Sequence, residues 1–303
     1  MLVADHLVKR FAGVTAVNDV SLRVDRGSVF GLLGPNGAGK TTTIRMLRNI
    51  ITPDSGAITL DGEPITEATK NRVGYVPEER GLYRKGLVLE TILYFAMLKG
   101  MAPAAAKDAA MRWLTRFGLE DRAKRRIEEL SKGNQQKVQF IVSVIHDPDV
   151  LVLDEPFSGL DPVNQEVLKE IIAEHKRANK GIIFSTHMME QAEELCADVC
   201  VINRGEIALH GTLEGVRAQF GKNMYRLEFT GDGAFLATLP GVAHVAVSHS
   251  SAEITVRDGT TLNEIVRAAC EHVALRKAEA LAPSLHAIFL DVVGANVAEV
   301  HPQ

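Results

Sequence analysis

The chain has 303 residues, enough for two modest domains or for one large domain with an appendage. Its 46% apolar and 24% charged residues are those of an ordinary globular protein, and a formal net charge of -4 argues against a general nucleic-acid binder. No apolar run approaches the roughly 18–20 residues that cross a bilayer. Residues Met1 to His6 lack the basic and apolar regions of a secretory signal, so a cytoplasmic chain is expected, with any membrane path on another polypeptide.

Residues 1 to about 30 alternate as strands do, with Phe11-Ala12-Gly13-Val14 as a turn. Val29-Phe30-Gly31-Leu32-Leu33 is a continuous apolar run, the kind of strand buried on both faces of a parallel sheet. It feeds Gly34-Pro35-Asn36-Gly37-Ala38-Gly39-Lys40-Thr41, and from Lys40 to about Asn49 the pattern is helical. Strand, loop and helix in that order make a phosphate loop. Its glycines let backbone N–H groups approach phosphate oxygens, Lys40 adds a point charge for the β and γ phosphates, and the Thr41 hydroxyl suits Mg²⁺.

Val73 to Val76, Val150 to Leu153 and Ile182 to Ser185 are three more buried-strand candidates. Between the first two, residues from about 82 to 147 are predicted mainly helical, with Pro103 at a helix N1 position and periodic apolar residues from Ala104 to Phe117. The basic residues Arg122, Lys124, Arg125 and Arg126 read as a solvated helix face. Asp154 ends an apolar strand, where a carboxylate can sit beside a metal ion, and Glu155 follows, where it can orient or deprotonate a water. A helix over 188–196 and a hairpin over 199–211, turning at Asn203-Arg204-Gly205, come next. Cys196, Cys200 and Cys270 make no disulfide framework, and the first two are expected as buried small hydrophobes rather than a metal pair.

Gly221-Lys222-Asn223 is the expected junction between domains at 1–220 and 224–303. Beyond it the pattern gives strand 224–229, helix 232–238, strands 242–247 and 252–257, helix 261–271, strand 274–280 and helix 284–293. That β-α-β-β-α-β order suggests a ferredoxin-like α+β sandwich with no catalytic constellation, and hence a regulatory or dimer-bracing role.

Leu130-Ser131-Lys132-Gly133-Asn134-Gln135 ends about twenty residues before Asp154-Glu155. With the phosphate loop, it resembles the ATP-binding subunit of an ABC transporter, whose signature usually reads Leu-Ser-Gly-Gly-Gln; Lys132 and Asn134 depart from it. The resemblance covers roughly residues 1–220. It implies an α/β P-loop NTPase cassette, with a RecA-like core, an antiparallel β subdomain and a helical subdomain at about 82–147. It implies ATP and Mg²⁺ as ligands. Phe11, where a Tyr is usual, would stack on adenine, and Val17, residues Gly34 to Thr41 and Thr42 would complete the nucleotide site. Ser131, Lys132, Gly133 and Asn134 would grip a second ATP across a homodimer, with Ser158-Gly159-Leu160-Asp161 as the D-loop. Thr41, Glu78 and Asp154 would serve the metal, Glu155 would be the general base, and His187 the switch histidine at the γ-phosphate.

The family normally has Gln at position 78. Glu78-Glu79-Arg80-Gly81-Leu82-Tyr83, the Leu130–Lys137 segment and the extra C-terminal domain look like the Nat-type sodium-exporter branch. By that resemblance the partner is a transmembrane permease, the chain lies on the inner face of the membrane, and Na⁺ or a small molecule is exported. Two other readings stand beside it: a soluble ABC ATPase acting on nucleic acid or ribosomes, and a membrane mechanotransmission ATPase. Against the first, about 90 residues separate Lys40 from Ser131, which leaves no room for a long coiled-coil insertion, and there is one cassette.

Overall fold

The computed structural model describes residues 1–298 other than Ala68, Arg80, Lys222 and Asp258. The chain forms two compact units, Met1–Gly211 and a second from Thr212 onward. The division falls about ten residues before the expected junction. The reason is the helix Leu213–Phe220, which follows Thr212, buries Leu213 and Val216, and packs on the helix Leu285–Ala298.

Strands β1 (Leu2–Phe11) and β2 (Val14–Val24) form an antiparallel hairpin. Its two-residue turn, Ala12 and Gly13, has positive φ at both positions, which suits the right-handed twist of the strands. Then come β3 (Val29–Leu33), α1 (Lys40–Leu47), β4 (Ser55–Leu60), β5 (Glu63–Pro64) and β6 (Val73–Val76). The helical stretch holds α2 (Val88–Leu98), α3 (Pro103–Arg116) and α4 (Lys132–Val144). The unit closes with β7 (Val150–Asp154), α5 (Pro162–Arg177), β8 (Gly181–Thr186), α6 (Met189–Leu195), β9 (Asp198–Asn203) and β10 (Glu206–Thr212). One sheet runs β2-β1-β4-β5 and is antiparallel; the other runs β10-β9-β3-β8-β7-β6. In the second, β9, β3, β8, β7 and β6 run parallel to one another.

Every residue of β3, β7 and β8 is buried, which is why these strands read as unbroken apolar runs. Their register aligns the carboxyl ends: Leu33 pairs with Thr186, and Asp154 with Ser185. The loops after β3, β6, β7 and β8 therefore leave from one sheet edge, where open α/β sheets bind ligands. A shared core joins the two sheets, with Leu7, Val17 and Val20 of the hairpin in one cluster with Phe30, Ile44 and Val152. In the helical stretch Trp113 stacks on Phe117 at 6.1 Å and meets Phe140 edge-on at 6.2 Å, tying α3 to α4. The basic residues from Arg122 to Arg126 lie on short turns rather than on a helix face, and Arg125 and Arg126 pair loosely with Glu129 and Glu128.

The second unit holds α7 (Leu213–Phe220), β11 (Met224–Thr230), β12 (Val242–Ser248), β13 (Ser251–Val256), α8 (Leu262–Cys270), β14 (Ala274–Ala280) and α9 (Leu285–Ala298). Its antiparallel sheet runs β12-β13-β11-β14, the ferredoxin-like order. The helix expected at 232–238 is a single 3₁₀ turn, Ala234–Thr238. Gly233 passes so close over the Phe229 ring that a Cβ would collide with it, so the chain there is set by packing on the sheet. Thr261 and Glu264 close a capping box at the start of α8.

Cys196 and Cys200 are buried, and burial pushes both thiols up to about 12, so they behave as apolar filler. Among the described residues, no helix is long and apolar enough to cross a membrane.

Candidate functional site

The loop between β3 and α1 is held from below by two strands that arrive from elsewhere in the sequence. Gly39, at φ 110°, caps α1, and a Cβ there would lie 2.5 Å from the Ala16 carbonyl of β2. A Cβ on Gly34 would collide with the Ile202 carbonyl of β9. Gly205 N donates to Ala38 O at 2.8 Å, so the turn after β9 props the loop directly. Lys40 is 8% exposed, and its ammonium donates to the carbonyls of Gly34 at 2.7 Å and Pro35 at 3.1 Å. Burial lowers its pKa, against the pull of Glu155, Asp154 and Glu78.

Above the loop is a cavity of about 300 Å³. Asn36, Gly37, Ala38, Lys40 and Thr41 line one side, and Glu78, Asp154 and Glu155 the other. Asp154 is 2% exposed and its Oδ2 has no hydrogen-bond partner. Burial raises its pKa to about 6, and the charges of Glu78 and Glu155 add to the effect. Glu155 leaves the strand with φ 48°, a left-handed turn that a non-glycine residue adopts at a cost of roughly 1–3 kcal/mol. The turn is held by Glu155 N donating to Ser185 O at 2.9 Å. Its carboxylate is gripped by the loop after β8. Oε1 accepts from His187 N at 2.8 Å and lies 2.6 Å from His187 Nδ1, and Oε2 accepts from Thr186 Oγ1 at 3.2 Å.

Ser131 caps α4, with its Oγ accepting from Asn134 N at 3.3 Å, and Lys132 is exposed. A Cβ on Gly133 would stand 3.2 Å from Gly159 O, so this segment abuts the Ser158–Asp161 loop of its own chain. Leu160 is partly buried there, and Asp161 caps α5 through Asn164 N at 3.0 Å. Neither segment lines the cavity. Phe11 stands 44% exposed at the end of β1, with the Lys9 ammonium 5.5 Å from its ring centre. Thr42 is half-buried on α1. Val17 is fully buried, beneath Gly39.

Three side chains at this edge escaped the sequence reading. Thr186 holds Glu155, Gln139 donates to the carbonyls of Pro77 and Glu79, and Ser143 donates to Tyr75 O. A signal existed for two of them. Gln136, Gln139 and Ser143 form a polar stripe at helical spacing on the buried face of α4.

A phosphate loop facing an acid pair across the edge of a parallel sheet, with a helical insert between them in sequence, is the build of a cassette-type P-loop ATPase. Residues 17–158 match the ABC transporter family, and residues 211–293 match the ATP-binding protein DrrA1-3-like C-terminal domain. The chain is 41% identical to the uncharacterized ABC transporter ATP-binding protein YhaQ of Bacillus subtilis (strain 168), over 97% of this chain and 99% of that one. It is 31% identical to the linearmycin resistance ATP-binding protein LnrL of the same organism, over 98% and 99% of the two chains. The ABC transporter ATP-binding protein NatA, also from B. subtilis, is 40% identical over 67% of this chain and 84% of its own. A solved ATP binding subunit of an ABC transporter superposes with TM-score 0.70 at 33% identity, covering 73% of this chain and 93% of that one. The chain belongs to the ATP-binding proteins of ABC transporters.

Proposed function

We propose that this ABC ATPase powers an exporter, working as a homodimer on a separate transmembrane subunit at the inner face of the membrane. The hydrolytic part rests on the Glu155–His187 pair at the mouth of the phosphate cavity. Glu155 takes the proton of the attacking water, because its carboxylate is fixed at three points and lies across the cavity from the loop. His187 holds that carboxylate through Nδ1 and offers Nε2 to the γ-phosphate. Lys40 exchanges its two carbonyl partners for phosphate oxygens, and the loop amides at the head of α1 receive the rest of the charge. Phe11, exposed at a strand end, stacks on the adenine.

Three carboxylates face one ammonium in the cavity, so a triphosphate enters it together with a cation. The residues fit Mg²⁺. Asp154 turns an unpartnered buried oxygen into the site, and Thr41 and Glu78 line it. Among the described residues no three such ligands converge to close a metal site, as suits a cation completed by phosphate oxygens. When bound, Mg²⁺ neutralises charge on the phosphates.

Ser131 and Gly133 serve the partner subunit's nucleotide, with Lys132 adding positive charge and Asn134 supporting Ser131. What supports this is that the segment lines no part of its own cavity. Efflux is supported by the resistance named for LnrL, which the chain matches along its whole length. The second unit, with no catalytic cluster among its described residues, braces or regulates the dimer.

Glu155→Gln should bind ATP yet lose hydrolysis by ~10²–10⁴, and ATP should then shift the protein from monomer to dimer in light scattering. Adding Ser131→Arg should abolish the shift while the monomer still binds ATP. A wild-type rate in Glu155→Gln overturns the catalytic assignment, and a dimer that survives Ser131→Arg overturns the interface. With the membrane subunit present, ATP should drive accumulation in inside-out vesicles; accumulation only in right-side-out vesicles would overturn export.

A further inference from the structure

Helix α4 carries the signature at its first turn, and eight residues further on, about 12 Å along the axis, it grips another part of the site. Gln139 is 3% exposed. Its Nε2 donates to Pro77 O at 2.8 Å and to Glu79 O at 3.1 Å, the two carbonyls that flank Glu78. One turn later Ser143 Oγ donates to Tyr75 O at 2.6 Å. Gly74 lets the backbones close up, since a Cβ there would lie 2.5 Å from Ser143 O. The strand β6 ends at Val76 and α2 begins at Val88, so no sheet ladder holds residues 77–79. The carbonyls of Pro77 and Glu79 are held instead by the helix that bears Ser131. Of this segment, Glu78 is the residue that lines the phosphate cavity among the described residues.

We propose that Gln139 is a positioning residue for the ATPase reaction. Its amide fixes Glu78 in the phosphate cavity and makes the position of Glu78 follow α4. The inference rests on the reading of Glu78 as a residue that serves the cation beside the phosphates. Two donors on one amide, one to each side of Glu78, hold the peptide planes as well as the distance. The Gln139 Oε1 has no partner, so the amide is oriented by these donations alone. A displacement of α4 when Ser131 engages a nucleotide is thereby passed to Glu78 without any change in the loop's own conformation.

The test compares Gln139→Leu and Gln139→Met, which keep the volume and remove the donors, with Glu78→Ala and with each double variant. Three quantities are read: Mn²⁺ affinity of the ATP-loaded protein by electron paramagnetic resonance, the Mg²⁺ concentration at half-maximal ATPase, and ATP affinity in EDTA. Loss of the amide should weaken Mn²⁺ binding and raise the Mg²⁺ requirement by about three- to tenfold, the range of a hydrogen bond or two. ATP affinity in EDTA should stay unchanged. In the Glu78→Ala background the Gln139 substitutions should add nothing, since a residue acting through another cannot act twice. Ser143→Ala, which cuts the neighbouring bond, should leave the cation affinity alone. If Glu78→Ala weakens cation binding and neither Gln139 variant does, the positioning role is wrong. Effects that multiply in the double variants overturn it equally, because they mark general loosening. If Glu78→Ala itself leaves cation binding untouched, the reading of Glu78 fails and takes the inference with it.

Discussion

Gly37 and Gly39 both sit at positive φ in the phosphate loop, yet their surroundings differ. At Gly37 an added Cβ meets nothing within 4 Å, whereas at Gly39 it meets the Ala16 carbonyl at 2.5 Å. Gly37→Ala should therefore cost only the left-handed strain, about 1–2 kcal/mol. Gly39→Ala must also push α1 away from β2, and it should lose ATP binding as well as stability. Fluorescent-nucleotide titration and thermal unfolding of the two variants check this, and equal losses would contradict it. The loop and the acid pair were legible in the sequence because each is contiguous and carries its chemistry in fixed spacing. Gln139 and Thr186 were not, because they act on Glu78 and Glu155 only once α4 and β8 lie beside them.

At the scale of the elements, the segment after α4 carries an acid-sensitive point. His146 is half-buried beside Arg48 and Lys99, with the Asn71 backbone and the neighbouring acid Asp147 as the groups that favour its charged form. Burial, with those two cations adding, lowers its pKa from 6.5 to about 4. Between those values the unfolded chain binds a proton at this ring and the folded chain does not, so stability falls as pH falls through that window. The loss reaches about 3 kcal/mol at the acid end. His146→Leu should match the wild type near pH 7 and exceed it at pH 4.5 in urea unfolding; a variant equally weakened by acid would contradict this. The buried strands β3, β7 and β8 were readable because burial on both faces leaves an unbroken apolar run. The 3₁₀ turn at Ala234–Thr238 was not, since close passage over Phe229, rather than local propensity, sets it.

For the whole molecule, the division at Thr212 changes where the chain can be shortened. A chain ending at Thr212 keeps all of β10 and should bind ATP as the full chain does. One ending at Phe220 retains α7 without the helix it packs on, exposes Leu213 and Val216, and should aggregate more in light scattering at equal ATP affinity. Loss of ATP binding at Thr212 would show that the second unit completes the nucleotide site. The ferredoxin-like order of that unit was legible because its strands and helices follow one another at short spacing, and Gly221, read as part of the junction, caps the end of α7. The sheet order of the first unit bears on how the protein comes off the ribosome. β3 emerges early, but its neighbours β8 and β9, and the Gly205 amide that props Ala38, follow some 150 residues later. The hairpin β1–β2 and β4 can pair at once, whereas the buried strand β3 must wait through the synthesis of the entire helical stretch. A nascent chain shorter than about 205 residues thus carries the phosphate loop without the Gly205 amide that props it, and ATP should act as a folding ligand only late in the translation of this unit.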